Sequence, residues 1–216
     1  MTRHATVAVT LPALDVETRS LVLVSAAICG GSEADAREAL SAAHSAGTNA
    51  NWVEEVLLQS YLFAGFPRAL NAMREWRRIS GRPAPASDAP SDPSNAAQWV
   101  VDGERTCATV YGEFYERLRH NITGLHIALD RFMITDGYGK VLSRPALDLA
   151  RRELCVVAAC AVQRQDRQLH SHLHGALNAG ASVAAISDAI DLLRPHLGDD
   201  DHRRYSLLWR RVRGDS

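Results

Sequence analysis

Two residues in the C-terminal half have the types and spacing of a general acid/base pair. Glu153 immediately precedes the apolar run LCVVAAC, and His172 follows 19 positions later. If the two segments form neighbouring antiparallel helices, the carboxylate can hydrogen-bond the imidazole, orient it and stabilise its charged form. The spacing is therefore compatible with a proton-transfer site. The alternatives are a salt bridge between Glu153 and a neighbouring arginine, and a packing role for His172.

The helices that would hold this pair belong to an internal repeat. The segment PALDVETRSL at 12–21 returns 133 residues later as PALDLARREL at 145–154, and twelve residues are identical between 12–47 and 145–180. Such self-similarity predicts two copies of one helical unit. Ser20 and Ala39 in the first copy stand where the second copy has Glu153 and His172. We therefore expect one site per chain, in the second copy.

Each copy is predicted to contain three helices. The first is apolar on nearly all sides, as in LVLVSAAI from Leu21, which is typical of a buried interface helix. The second ends at Gly47 or Gly180, where glycine suits a left-handed helix C-terminus, and Asn49 or Ser182 can cap the third. The predicted fold is all-α, with two tandem similar helical-bundle repeats related by a pseudo-twofold axis.

The predicted domain organisation has three parts. A degenerate first repeat spans 11–78, and a Pro/Ser-rich linker spans 79–98. The second repeat spans 99–213 and adds a helical lead-in and a C-terminal helix that docks through an apolar stripe. The sequence Asp-Gly-Tyr-Gly at 136–139 predicts a turn within the lead-in.

Composition argues against several classes of protein. A formal net charge of −1 gives no global field for nucleic acid or anionic membranes. No apolar run is long enough to span a bilayer and no secretory signal is evident, so we expect a cytoplasmic protein without a membrane partner. The four cysteines lack CxxC or metal-type spacing, which favours buried reduced thiols. His170 and His174 share a helix face, but no further ligand completes a set, and no metal is expected.

Three segments resemble the carboxymuconolactone decarboxylase and alkylhydroperoxidase D-like superfamily. They are RPALDLARREL from Arg144, HLHGALNAGAS from His172 and YLFAGFPRALNAM from Tyr61. The peroxidase branch of that superfamily has Glu, eleven residues, Cys-x-x-Cys, three residues and His. Counting from Glu153 places Gln165 and Gln168 at the cysteine positions and His172 at the histidine. Since glutamine cannot replace a thiolate, the resemblance argues against thiol peroxidase chemistry.

The resemblance instead implies the decarboxylase branch, whose members lack the CxxC and act on a small acidic lactone. It implies a carboxy-lyase in which His172 protonates the product carbanion and Glu153 orients His172. Arg144 or Arg152 would hold the substrate carboxylate, with an interhelical salt bridge as the alternative for each. The expected partner is a small anionic substrate, and no cofactor is expected.

Other functions and the assembly are also considered. A non-catalytic oligomeric binding or assembly protein of the same fold is one alternative, and a redox protein that uses a different cysteine pair is another. Family members form rings of repeats, commonly six. The resemblance therefore implies a homotrimer for a chain that holds two repeats.

Overall fold

The computed structural model describes residue 11 and residues 13–214, and helices account for most of this part of the chain. The α-helices are α1 (Val16–Gly30), α2 (Glu33–Ser45), α3 (Ala50–Ser80), α4 (Ala96–Tyr111), α5 (Tyr115–Leu125), α6 (Ile127–Phe132), α7 (Leu149–Val162), α8 (Asp166–Asn178), α9 (Val183–Leu192), α10 (Arg194–Leu197) and α11 (Asp199–Val212). Met133–Leu142 is a π-helix, and short 3-10 turns lie at Ala89–Ser91, Pro93–Asn95 and Gly112–Phe114. Within the described residues the β-type pairing is one parallel bridge, between Leu11 and Ala181.

The repeat is reproduced helix by helix. α1, α2 and α3 begin at positions 16, 33 and 50, and α7, α8 and α9 begin 133 residues later, at 149, 166 and 183. Asp15 and Asp148 cap the first helix of each copy by accepting a backbone N–H three residues on. Gly47 and Gly180 both have a positive φ, as predicted for the residue that ends the second helix. Asn49 caps the third helix of the first copy, also as predicted.

Contacts between equivalent positions reveal the pseudo-twofold axis. α1 packs against α7, and the Arg151 Nε donates a 3.0 Å hydrogen bond to the Oγ1 of Thr18, its counterpart in the first copy. The leucines that precede the two helices are exchanged: Leu147 lies in the core of the first repeat, and Leu14 packs against the core of the second. The predicted all-α fold with two related repeats is therefore confirmed.

The turn predicted at 136–139 is wrong, because these residues lie inside the π-helix. α4 crosses this helix so closely that a Cβ on Gly139 would lie 1.9 Å from the Trp99 carbonyl oxygen. A Cβ on Gly103 would likewise lie 2.0 Å from the Ile134 oxygen. Glycine is used here for close approach of two backbones rather than for a change of chain direction.

The remaining segments surround the two repeats. α3 bends at Gly65, which has a φ of 78°, so the helix predicted to end there continues in a new direction. Residues 81–95, within the predicted linker, are mostly exposed. α11 docks on α8 and α9 and buries Tyr205 and Trp209, as its apolar stripe predicts. Within the described residues, none of the helices combines the length and the hydropathy that a bilayer span needs.

Candidate functional site

α7 and α8 bring Glu153 and His172 together. The short connection at 163–165 folds α8 back onto α7, and the His172 Nδ1 lies 2.8 Å from the Glu153 Oε2. Glu153 is fully buried, whereas 7% of His172 is exposed. Its Nε2 has no hydrogen-bond partner in the described part of the chain. An imidazole held at Nδ1 by a carboxylate, with Nε2 free, can give or take a proton at Nε2.

A glycine on α8 makes room for the Glu153 carboxylate. A Cβ on Gly175 would lie 2.6 Å from the Glu153 Oε2 and 2.7 Å from the Val110 Cγ1. The second carboxylate oxygen, Oε1, is buried without a hydrogen-bond partner among the described residues. A buried carboxylate oxygen normally has a partner, so this atom is suited to receive a water or ligand donor.

Two tyrosines extend the pair toward α4 and the π-helix. The Tyr111 ring centroid lies 6.2 Å from that of His172 and 6.2 Å from that of Tyr138. The two tyrosine hydroxyls share a hydrogen bond, and burial raises the pKa of both phenols. Both therefore stay protonated at neutral pH and can donate a hydrogen bond.

Two other aromatic residues of the lead-in, left open by the sequence, have local partners. The Tyr115 hydroxyl accepts a hydrogen bond from Arg119. The His126 side chain accepts the Ala128 N–H at the start of α6. Their contacts account for the local structure of α5 and α6.

The two arginines predicted to bind substrate lie in a separate ion cluster. Arg152 is fully buried and donates to the Glu55 Oε2 at 2.7 Å. Arg144 donates to both Glu55 and Asp88. Its hydrogen bonds lower the pKa of Asp88 to about 2. Glu55 thus occupies both guanidinium groups.

Sequence reasoning overlooked Glu55, which links α3 of the first repeat to the start of α7. A clue was present in WVEEVLLQS, where an acidic residue interrupts an apolar helix face. A buried carboxylate requires a cationic partner, and two arginines near the repeat boundary were available. Pairing them from sequence alone would have required knowing how the repeats face one another.

A groove of about 320 Å³ lies beside the pair, between the α4–α5 region and α8. Tyr111 contributes to its wall and also contacts His172. The lining residues combine apolar, neutral polar and basic groups: Val110, Tyr111, Phe114, Arg117, Leu118, Asn121, His170, Ser171 and His174. None of them is acidic.

The other candidate groups are arranged differently. The four cysteines are buried, and burial raises the pKa of Cys29 and Cys107 to about 12, which keeps them as unreactive thiols at neutral pH. The His170 and His174 rings lie 5.0 Å apart. Among the described residues no group of three His, Cys, Asp or Glu side chains could hold a metal ion.

The first repeat has no comparable pair. At the position of Glu153, the Ser20 hydroxyl donates to the Val16 carbonyl of its own helix. At the position of His172, Ala39 carries no polar side chain. The candidate chemistry is therefore confined to the second repeat.

Comparison with known proteins places this architecture in a family. The model of the "Carboxymuconolactone decarboxylase family" matches residues 1–78 and 131–204, which is more than half of the chain. The chain is also 30% identical to "Peroxisomal protein 2" of Schizosaccharomyces pombe over 141 residues. That match covers 63% of this chain and 64% of the relative, less than two thirds of the relative's length. The matched regions contain both repeats, and the chain belongs to the carboxymuconolactone decarboxylase family.

Proposed function

We propose that the chain is a carboxy-lyase that removes carbon dioxide from a small acidic lactone or related carboxylate by general acid/base chemistry. The observation that carries the proposal is the buried 2.8 Å contact between His172 and Glu153. Family membership supports the reaction class. The missing CxxC and the high pKa of the buried cysteines argue against the thiol peroxidase route.

The chemistry requires a proton donor and a site with little water. Cleavage of the carbon–carbon bond releases carbon dioxide and leaves its electron pair on the lactone as a dienolate. A protonated His172 then donates its Nε2 proton to carbon, while Glu153 holds Nδ1–H and stabilises the imidazolium. Burial of Glu153 and the neighbouring tyrosines keeps the site poor in water, which favours loss of the charged carboxylate.

The predicted roles of Arg144 and Arg152 are less well supported than that of the pair. Both guanidinium groups are engaged by Glu55, and Arg152 is fully buried. Binding of a substrate carboxylate by either arginine would require Glu55 to release it. We propose that the two arginines instead fix the start of α7, the helix that carries Glu153.

The function is tested by replacing the proposed acid. His172→Ala should lower the rate of carbon dioxide release from carboxymuconolactone by roughly 10²- to 10⁴-fold, the usual contribution of a positioned acid/base group. His196→Ala, which replaces an exposed histidine on α10, should leave the rate unchanged. Circular dichroism would show that both variants remain folded.

The outcomes separate the proposal from its alternatives. Unchanged turnover in His172→Ala would refute the assignment of the acid. If the wild-type chain released no carbon dioxide from this lactone or from related carboxylated butenolides, the carboxy-lyase proposal would fail. The non-catalytic binding protein of the same fold would then be favoured.

The assembly proposal is a homotrimer in which six repeats form a ring. Its support is an apolar surface on α5 and α6. α5 buries none of its residues against the described chain, and α6 buries Asp130 alone. The exposed apolar side chains on these helices are Leu125, Ile127 and Leu129, together with Phe132 at the end of α6. Such a surface is typical of an interface between subunits.

The location also remains a proposal. The sequence favoured the cytoplasm, whereas the name of the yeast relative points to the peroxisome. Fluorescence microscopy of the tagged full chain, with cytoplasmic and peroxisomal markers where the cell has both, would distinguish the two compartments.

A further inference from the structure

The groove beside the Glu153–His172 pair is built from two parts of the chain with different relations to the family. The α8 wall, at His170, Ser171 and His174, lies within the matched residues 131–204. The opposite wall, from Val110 to Asn121, lies between the two matched regions. This second wall can therefore give the site a ligand preference that family membership does not specify.

The charge of the groove favours an anion. Arg117 is exposed, stacks at 5.5 Å over Phe114 and makes no ion pair within the described part of the chain. Arg119, two residues further along α5, is instead bound by Asp130 at 2.9 Å. Because no lining residue is acidic, the Arg117 guanidinium is available to a ligand carboxylate.

The rest of the lining favours an apolar ligand body. Val110, Tyr111, Phe114 and Leu118 present hydrocarbon or aromatic surface. Asn121 and Ser171 add neutral polar groups that can hydrogen-bond a carbonyl or hydroxyl. A volume of about 320 Å³ lies at the lower end of small-molecule sites.

We propose that this groove binds a small carboxylate with an apolar body, and that the Arg117 guanidinium pairs with the carboxylate. The inference rests on the proposed function, because it assigns a substrate-binding wall to the same site. His172 does not line the groove itself. Tyr111 connects the two, since it lines the groove and its ring also contacts His172.

The test uses binding rather than turnover. Isothermal titration calorimetry at pH 7.5 would compare 2-naphthoate with its neutral analogue 2-naphthamide on the full chain. The naphthoate should bind more tightly, and Arg117→Gln should weaken its binding by about tenfold or more, as expected for the loss of a charge-assisted pair. Arg210→Gln, at an exposed arginine on α11, should leave binding unchanged.

Two further variants separate this inference from the proposed function. Ser171→Phe should block naphthoate binding by filling the groove without changing its charge. His172→Ala should still bind naphthoate, because His172 lies behind Tyr111. Retained binding without any lactone turnover would preserve the groove assignment and refute the carboxy-lyase proposal.

Three results would overturn the groove assignment. One is equal affinity for naphthoate and naphthamide. Another is unchanged naphthoate binding in Arg117→Gln or in Ser171→Phe. The third is no binding of naphthoate at all, and this would hold even if His172-dependent turnover were observed.

Discussion

At the scale of single residues, the candidate site depends on one missing side chain. Gly175 allows α8 to approach the Glu153 carboxylate, which could not keep its position beside a Cβ at 2.6 Å. The same Cβ would lie 2.7 Å from the Val110 Cγ1 on α4. Glycine is thus required at the junction of three helices, where a larger residue would have to displace a buried carboxylate or a core methyl group.

We predict that Gly175→Ala destabilises the chain by about 1 to 3 kcal/mol, the usual cost of overpacking a core. It should also disturb the hydrogen bond between Glu153 and His172. Urea unfolding measures the first effect, and the NMR shifts of the His172 ring nitrogens report the second.

The matched control for this substitution is Gly124→Ala in α5, where an added Cβ meets no atom within 4 Å. This variant should be neutral or stabilised by up to about 1 kcal/mol, because alanine favours the helix. Equal stability of Gly175→Ala and the wild type would contradict the account of the site.

At the scale of helices, the sequence predicted the repeat and the placement of the acid/base pair well. The 133-residue register set the starts of six helices, since local caps and apolar periodicity act over a few residues. The contact between Glu153 and His172 followed once two consecutive helices packed together. These features depend on short-range signals that a sequence carries directly.

Features that depend on distant contacts were not predicted. The π-helix at Met133–Leu142 requires the close crossing of α4, which lies about 30 residues earlier in the chain. The partners of Arg144 and Arg152 required the position of Glu55, roughly 90 residues away. Local propensity contains no information about such pairings, so the arginines were interpreted through the family resemblance.

The Glu55 cluster leads to a prediction about the junction between the repeats. Burial lowers the pKa of the Arg152 guanidinium, and the Glu55 carboxylate opposes that shift. Glu55→Ala should destabilise the chain by roughly 3 to 5 kcal/mol, because it leaves a buried arginine without its counter-charge. Thermal or urea unfolding would measure the loss.

A control on the same repeat makes this test specific. Glu38→Ala removes an exposed carboxylate from α2 and should change stability by less than about 0.5 kcal/mol. If Glu55→Ala were no more destabilising than this control, the cluster would not hold the repeats together. Arg144 and Arg152 would then be free for the substrate role that the sequence suggested.

At the scale of the whole molecule, two related repeats give one chemical site. The pseudo-twofold axis passes near Thr18 and Arg151, so the apolar helices α1 and α7 form a shared core. The second repeat carries Glu153 and His172, while the first provides Glu55 to the start of α7. The first repeat therefore supports the site structurally, although it has no acid/base pair of its own.

The exposed apolar surface on α5 and α6 leads to the last prediction, which concerns assembly. Size-exclusion chromatography with light scattering should give three times the mass of one chain. Leu125→Glu, at a leucine that is 73% exposed, should shift the mass toward that of a single chain, because a buried charge opposes association. Leu207→Glu, at a 48% exposed leucine on α11, should keep the trimer. A wild-type monomer would refute the assembly, and equal dissociation of both variants would show that the interface is not on α5 and α6.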